Sequence, residues 1–379
     1  MSSNTSKIRY HGLDHLRGLL AFGIVCYHFL KWQRVDLLPT FQAPLNLLGY
    51  YAVSTFYVIS GAALYIVYRE SQITVSFLRS FFIKRGFRII PLFWFVTFIF
   101  LSFDGFRNFS SEPYRVFLNF SLLFSWLAPA EYLSPGTWSI GNELAFYSVF
   151  PILLVFTRSG RQLAFMFLLA VVVSVGFSEV FNRDGISDRP IWSFYVHPLN
   201  QVVFFVGGLV VGATLQSYSS TLREGWAHSG ARCLLKVLGG LSLALFLLIS
   251  FSVSLVDSTS GFWKVVLTLV CMSWGFIAGV FGNNDGRAGK VLSWLGAISY
   301  SLYLLHPIVY RVASIGMLRT GSNWMAVTGE EPFFKLIVFI SSMVGSLVLA
   351  TLSFHFLELP MMRFGKKLTN IKKVNKSLS

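Results

Sequence analysis

The feature that most limits how this chain folds is a series of apolar runs, each about as long as a membrane is thick, that contain no Asp, Glu, Lys or Arg. Leu45–Tyr68, Val237–Val256, Val265–Asn284, Val291–Tyr310 and Leu336–Leu357 are of this kind. A helix that crosses the hydrocarbon needs about 20 apolar residues. Gly18–Leu30 is shorter but extends back through Leu13, and Ile89–Phe103 gains length by snorkelling of its basic flank. Thr137–Thr157, which holds the single acid Glu143, joins Gln162–Ser178 and Leu199–Leu215 to complete a set of ten. Val116–Ala130 is apolar but brief, and is predicted to be interfacial or re-entrant. Hydrophobic residues make up 54% of the 379 and charged residues 12%, against about 25% charged in soluble domains. A soluble fold would have to expose large apolar patches. The sequence therefore predicts an all-α, polytopic integral membrane protein of about ten transmembrane helices.

The net charge of +15 does not point to nucleic acid, because the basic residues fall between the spans and not on one soluble domain. With the N-terminus in the cytoplasm, the cytoplasmic segments hold 20 Lys and Arg and the opposite face 10, leaving out Arg17 within the first span. That excess predicts that both termini are cytoplasmic. Residues 1–360 are expected to form one membrane-embedded domain. Residues 361–379 are expected to form a short basic tail along the anionic inner leaflet. Cys26, Cys233 and Cys271 lie in or beside apolar runs, and neither a disulfide framework nor a metal spacing is visible. Met1–Arg9 is polar and charged residues continue to Arg17, so no cleavable signal peptide is expected.

Ionisable groups inside a span are costly and mark function by default. Arg17 and His28 share the first span, eleven residues apart. That is close to three turns, so both point to one face about 16 Å apart. The plainer reading is an arginine that snorkels and a histidine that bonds a carbonyl. Their alignment also suits an extended pantetheine arm, with phosphate at Arg17 and a thioester near His28. Asp14, one turn before Arg17, is placed to pair with it. It is about 21 Å from His28 along a straight helix. Lys84, Arg85 and Arg88 cluster where the third span begins. They read either as topology signals or as a phosphate site, since guanidinium forks match phosphate oxygens. Glu143 must be paired or protonated at its depth, and is a candidate partner of His28 from another helix. His306 precedes Pro307, which frees carbonyls that a structural histidine would use. Ser60, beside Gly61, reads first as helix packing.

These residues lie in LDHLRGLLAFGIVCYH, STFYVISG, KRGFRIIP, TWSIGNELAFY and SYSLYLLHPIV, and FHFLELPMMR follows around Glu358. Any one of these segments is weak, but the six in order on ten spans are specific. The chain resembles the acyltransferase-3 family of membrane acyltransferases over essentially its whole length. The resemblance implies an enzyme of the bacterial inner membrane. It would take acetyl from cytoplasmic acetyl-coenzyme A and modify a carbohydrate, often of a surface polymer and in some cases lipid-linked, on the outer side. Arg17 and His28 match the family's functional pair, and Arg85 and Arg88 its basic motif. Some relatives carry an extra C-terminal periplasmic domain, and this chain looks like the stand-alone form.

The chemistry that follows gives His28 the role of general base towards a sugar hydroxyl, with Glu143 as orienter and Asp14 in support. Arg17, Lys84, Arg85 and Arg88 would hold the donor. Ser60 is a guessed oxyanion contact. An acetyl-histidine intermediate is the competing route. A transporter or flippase of a lipid-linked sugar is the rival class, because intramembrane His, Arg and Glu also suit ion coupling. Internal duplication, which would favour it, is not visible.

Overall fold

In lipid every backbone N–H and C=O must find its partner within the protein, and apolar runs of this length do so as helices. A computed structural model describes residues 10–183, 191–223, 228–259, 261–282, 286–328 and 331–375, and these contain no strand. The chain ends, with Lys7, Arg9 and Ser377, lie outside the described residues. The long helices are α1 (His11–Trp32), α2 (Pro39–Tyr68), α3 (Val75–Phe103), α4 (Thr137–Val155), α5 (Gly160–Arg183) and α6 (Pro198–Arg223). They continue as α7 (His228–Ser252), α8 (Gly261–Phe281), α9 (Arg287–Thr328), α10 (Glu331–Ser353) and α11 (Leu359–Asn375). Each of the ten expected spans falls on one of α1–α10. Among the described residues, nine helices are long and apolar enough to cross a membrane, with α10 and α11 counted as one. The tenth expected span, α1, is not among the nine: its 22 residues include Asp14, Arg17, His28 and Lys31. The chain is a multi-pass membrane protein.

α2 and α6 form the centre, with 72% of each apolar window buried, whereas the figure is 17% for α7 at the periphery. The central pair approaches closely because Gly61 of α2 faces the Phe205 carbonyl and Gly208 of α6 faces the Val58 carbonyl, leaving no room for a Cβ on either. α1 packs against α9, α2 and α8. Gly18 lies against the backbone of Leu295 and Gly296 of α9, 2.6–2.8 Å from where its Cβ would stand. This contact fixes which face of α1 looks inward. Leu241, Leu248 and Phe251 of α7 are exposed, as suits a helix bathed in lipid.

Three elements take forms the sequence did not specify. The basic segment before Ile89 is helical: α3 starts at Val75, capped by the Thr74 hydroxyl, which accepts from the Phe77 N–H at 3.1 Å. The helix then runs through Pro91 without a break. Val116–Ala130 contains part of the short helix Pro113–Phe120 and all of Phe124–Leu127. Phe124 is buried and stacks on Phe93 at 6.0 Å, which anchors a segment too short to span. The tail continues α10 through a π-helical turn, Phe354–Glu358, into α11. α11 packs on α3 through Phe364 against Phe87, at 5.4 Å. The basic tail is thus docked beside the basic end of α3.

Candidate active site

Two polar clusters lie along α1. At the end nearer its N-terminus, Arg17 pairs with Asp14 at 3.5 Å, as their spacing predicts. Because Gly18 lets α9 come close, Arg17 shares a cavity with Ser299 and Tyr300 of α9. The same cavity is lined by Arg88 from α3, Ser60 from α2 and Glu143 from α4, and its empty space, open solvent included, is about 590 Å³. Arg17 is within electrostatic reach of Arg88, and both are within reach of Asp14, Glu143 and Tyr147. Arg88 also senses Glu358. Two guanidinium groups that repel one another, held in one cavity by surrounding carboxylates, form a site suited to an anion.

Glu143 is fixed within this cluster. It accepts from the Ser60 hydroxyl at 3.1 Å and from the Tyr147 phenol one turn along α4. The Ser60 and Tyr147 oxygens lie 3.0 Å apart around it. Arg85 sits over the ring of Tyr147 at 5.4 Å and over those of Tyr68 and Phe81 at 5.9 Å. Its Nε is buried without a hydrogen-bond partner among the described residues.

The second cluster lies three turns further along α1. His28 Nδ1 is 2.9 Å from Nε2 of His306 on α9. His306 is fully buried, and its Nδ1 lies 3.2 Å from the Leu302 carbonyl. Trp32, one turn after His28, lies parallel to both imidazoles, at 4.9 Å and 5.6 Å with interplanar angles of 4° and 13°. The clusters share a neighbour in Tyr303. This residue lines the cavity, and its ring stands 6.0 Å from that of His306. Its hydroxyl donates to the Gly136 carbonyl at 3.0 Å and accepts from the Ser139 hydroxyl at 2.9 Å. Gly136 opens α4 with φ of 83°, a left-handed conformation that glycine adopts without strain.

The expected site residues are therefore divided. Asp14, Arg17, Arg88, Ser60 and Glu143 come together. Lys84 is half-buried on α3 beside Arg85, which faces aromatic rings and not the cavity. Two readings need correcting. The partner of His28 is His306 and not Glu143, because Ser60 and Tyr147 hold Glu143 at the other cluster. His306 does bond a backbone carbonyl, as a structural histidine would, but it is that of Leu302 and not the one Pro307 frees, and its other nitrogen faces His28. The residues missed were Tyr147 and Tyr303, and Glu358, the centre of a noted segment, was given no role. The i,i+4 spacing of Glu143 and Tyr147 was a signal for the first. Glu358 is buried in the π-helical turn, where it accepts from the Ser301 hydroxyl. Such turns frequently accompany functional sites. No group of three or more His, Cys, Asp or Glu is placed to hold a metal among the described residues.

Comparison with known proteins bears on this arrangement. Proteins of Staphylococcus aureus strains COL, MSSA476 and MRSA252, each provisionally named an O-acetyltransferase, are 25% identical to the chain over 407 aligned positions. The alignment covers 96% of this chain and 59% of each relative, so the chain spans about three fifths of their length. No solved structure matches. The acyltransferase-3 model, which describes an acyltransferase domain, matches residues 10–353, nearly the whole chain and both clusters. This chain belongs to the acyltransferase-3 family.

Proposed function

We propose that the protein transfers acetyl from cytoplasmic acetyl-coenzyme A to a hydroxyl of a carbohydrate, polymer-bound or lipid-linked, on the far side of a bacterial inner membrane. One observation carries the reading. A single helix, α1, places Arg17 in a cavity with Arg88 and, three turns away, His28 in a hydrogen-bonded pair with His306; Tyr303 lines that cavity and stands beside His306. The provisional name shared by the Staphylococcus aureus relatives supports acetyl and an oxygen acceptor.

In this reading Arg17 and Arg88 grip the phosphates of the donor. The hydroxyl proton passes to a neutral imidazole nitrogen of His28 as the oxygen attacks the thioester carbonyl. The C–S bond then breaks, and the thiolate takes the proton back from His28. The products are an ester and free coenzyme A, and the base is restored. Asp14 and Glu143 hold the arginines and do not touch the reacting atoms.

The test uses membrane vesicles from cells that express the protein, given acetyl-coenzyme A labelled in the acetyl group. Label should enter carbohydrate as an alkali-labile ester, and His28→Gln should abolish this. Vesicles in which free coenzyme A is not released and no ester forms would overturn the reading and favour the transporter class.

A further inference from the structure

We infer that His306 is a positioning residue that selects the tautomer of His28, leaving Nε2 of His28 as the nitrogen that takes the hydroxyl proton. The inference rests on the acyl-transfer reading above. The argument starts at the Leu302 carbonyl, which can only accept. His306 Nδ1, 3.2 Å away, must therefore carry the proton it donates. A neutral imidazole has one N–H, so Nε2 of His306 is left with a lone pair. That lone pair faces His28 Nδ1 at 2.9 Å, so His28 must donate from Nδ1. The remaining nitrogen of His28, Nε2, is then an acceptor.

The neutral state of the pair follows from its surroundings. Apart from each other, the rings that His28 and His306 meet are Tyr27, Trp32, Phe29 and Tyr303, all uncharged. Lys31 lies near enough to act on His28 with a further positive charge. A resident imidazolium in that setting would be a buried charge without a counter-ion among the described residues. Trp32 lies flat over both rings and holds them near one plane, at 9° to each other. Pro307 lacks the N–H that would otherwise bond the Tyr303 carbonyl, and His306 is held by the Leu302 carbonyl of the same turn. The carbonyl, His306 and His28 form a line in which each member dictates the proton on the next. When His28 takes the substrate proton, both its nitrogens carry hydrogen. Its Nδ1–H bond to His306 then becomes charge-assisted and stronger. A second imidazole here does the work that a carboxylate does beside a catalytic histidine elsewhere.

Three substitutions separate this role from packing. His306→Gln can place a side-chain oxygen where Nε2 stood, and so keeps an acceptor for His28. His306→Asn can reach the Leu302 carbonyl but not His28. His306→Phe fills the space and does neither. The rate of labelled-acetyl transfer in vesicles should stay within about tenfold of wild type for His306→Gln. It should fall about 100-fold or more for His306→Asn and His306→Phe, the scale of a general-base contribution. The KM for acetyl-coenzyme A should move less than about twofold in all three, because donor binding uses the other cluster. A purely structural histidine predicts instead that Asn, which keeps the backbone bond, works at least as well as Gln.

A second readout needs no acceptor. Nitrogen-15 NMR of the full chain in lipid nanodiscs, with His labelled and the His28 resonances assigned by their loss in His28→Gln, should show Nδ1 protonated and Nε2 not. Finding the opposite tautomer, or equal rates for His306→Gln and His306→Asn, would sink the inference. His28→Gln, assayed alongside, isolates the underlying reading. If it transfers acetyl at the wild-type rate, the base assignment itself fails. If it is inactive while His306→Asn and His306→Phe are normal, only the role of His306 fails.

Discussion

Arg17 and His28 stand on one helix but in different company, so they should fail differently when changed. Arg17 lines the cavity with Arg88, and His28 meets His306 and aromatic rings. Arg17→Ala should weaken acetyl-coenzyme A binding about 10- to 100-fold, the equivalent of losing one charge-assisted contact at about 1.5–3 kcal/mol. Arg17→Lys should recover part of this, since Lys supplies the charge without the fork. His28→Gln should leave donor affinity within about twofold. Calorimetry on the purified protein in detergent checks all three, and equal losses for Arg17→Ala and His28→Gln would contradict the division. The alignment of these two residues was legible because helical periodicity acts within one segment. The His28–His306 bond was not, because it joins positions 278 residues apart. Nothing in a single sequence says which helix faces which. The same blindness assigned Glu143 to His28, although Tyr147 stood one turn away on its own helix.

At the scale of the element, α3 shows how one basic motif divides its labour. Arg85 and Arg88 are three residues apart, near enough to share a side of the helix and far enough to differ in neighbours. Arg88 reaches the cavity, while Arg85 spreads over Tyr68, Phe81 and Tyr147. Arg88→Ala should therefore raise the KM for acetyl-coenzyme A about tenfold or more. Arg85→Ala should raise it less than about threefold and instead lower the thermal midpoint in detergent, since a desolvated cation–π contact contributes about 2 kcal/mol. Identical kinetic effects would return both arginines to one role. The basic spacing was plain in the sequence, but its division was not, because it depends on the aromatic rings that α2 and α4 bring to one face of α3. The docking of α11 was hidden for a related reason. Its charges suggested a tail along the inner leaflet, and its contact with α3 rests in part on Phe87 and Phe364, unremarkable alone.

For the whole molecule, the ten expected spans were legible because lipid imposes a length and an apolarity that a sequence displays directly. Which helices are central was not, since α2 and α7 are both apolar and differ only in what surrounds them. The basic asymmetry, 20 Lys and Arg against 10, supports both ends on the cytoplasmic side. A Cys introduced by Ser377→Cys should resist a membrane-impermeant thiol reagent in intact cells and react after permeabilisation. Labelling before permeabilisation would overturn the orientation. The ambiguous helix is α1, which is less apolar than the nine that qualify on length and apolarity. It is held by Gly18 against α9 and by the buried Ala21, Val25 and Phe29. Omitting it from a hydropathy count turns an even number of crossings into an odd one. Every loop after it would then be drawn on the opposite side of the bilayer, and the proposed donor and acceptor would exchange compartments on paper. The parity of this protein thus hangs on the same helix that carries Arg17 and His28.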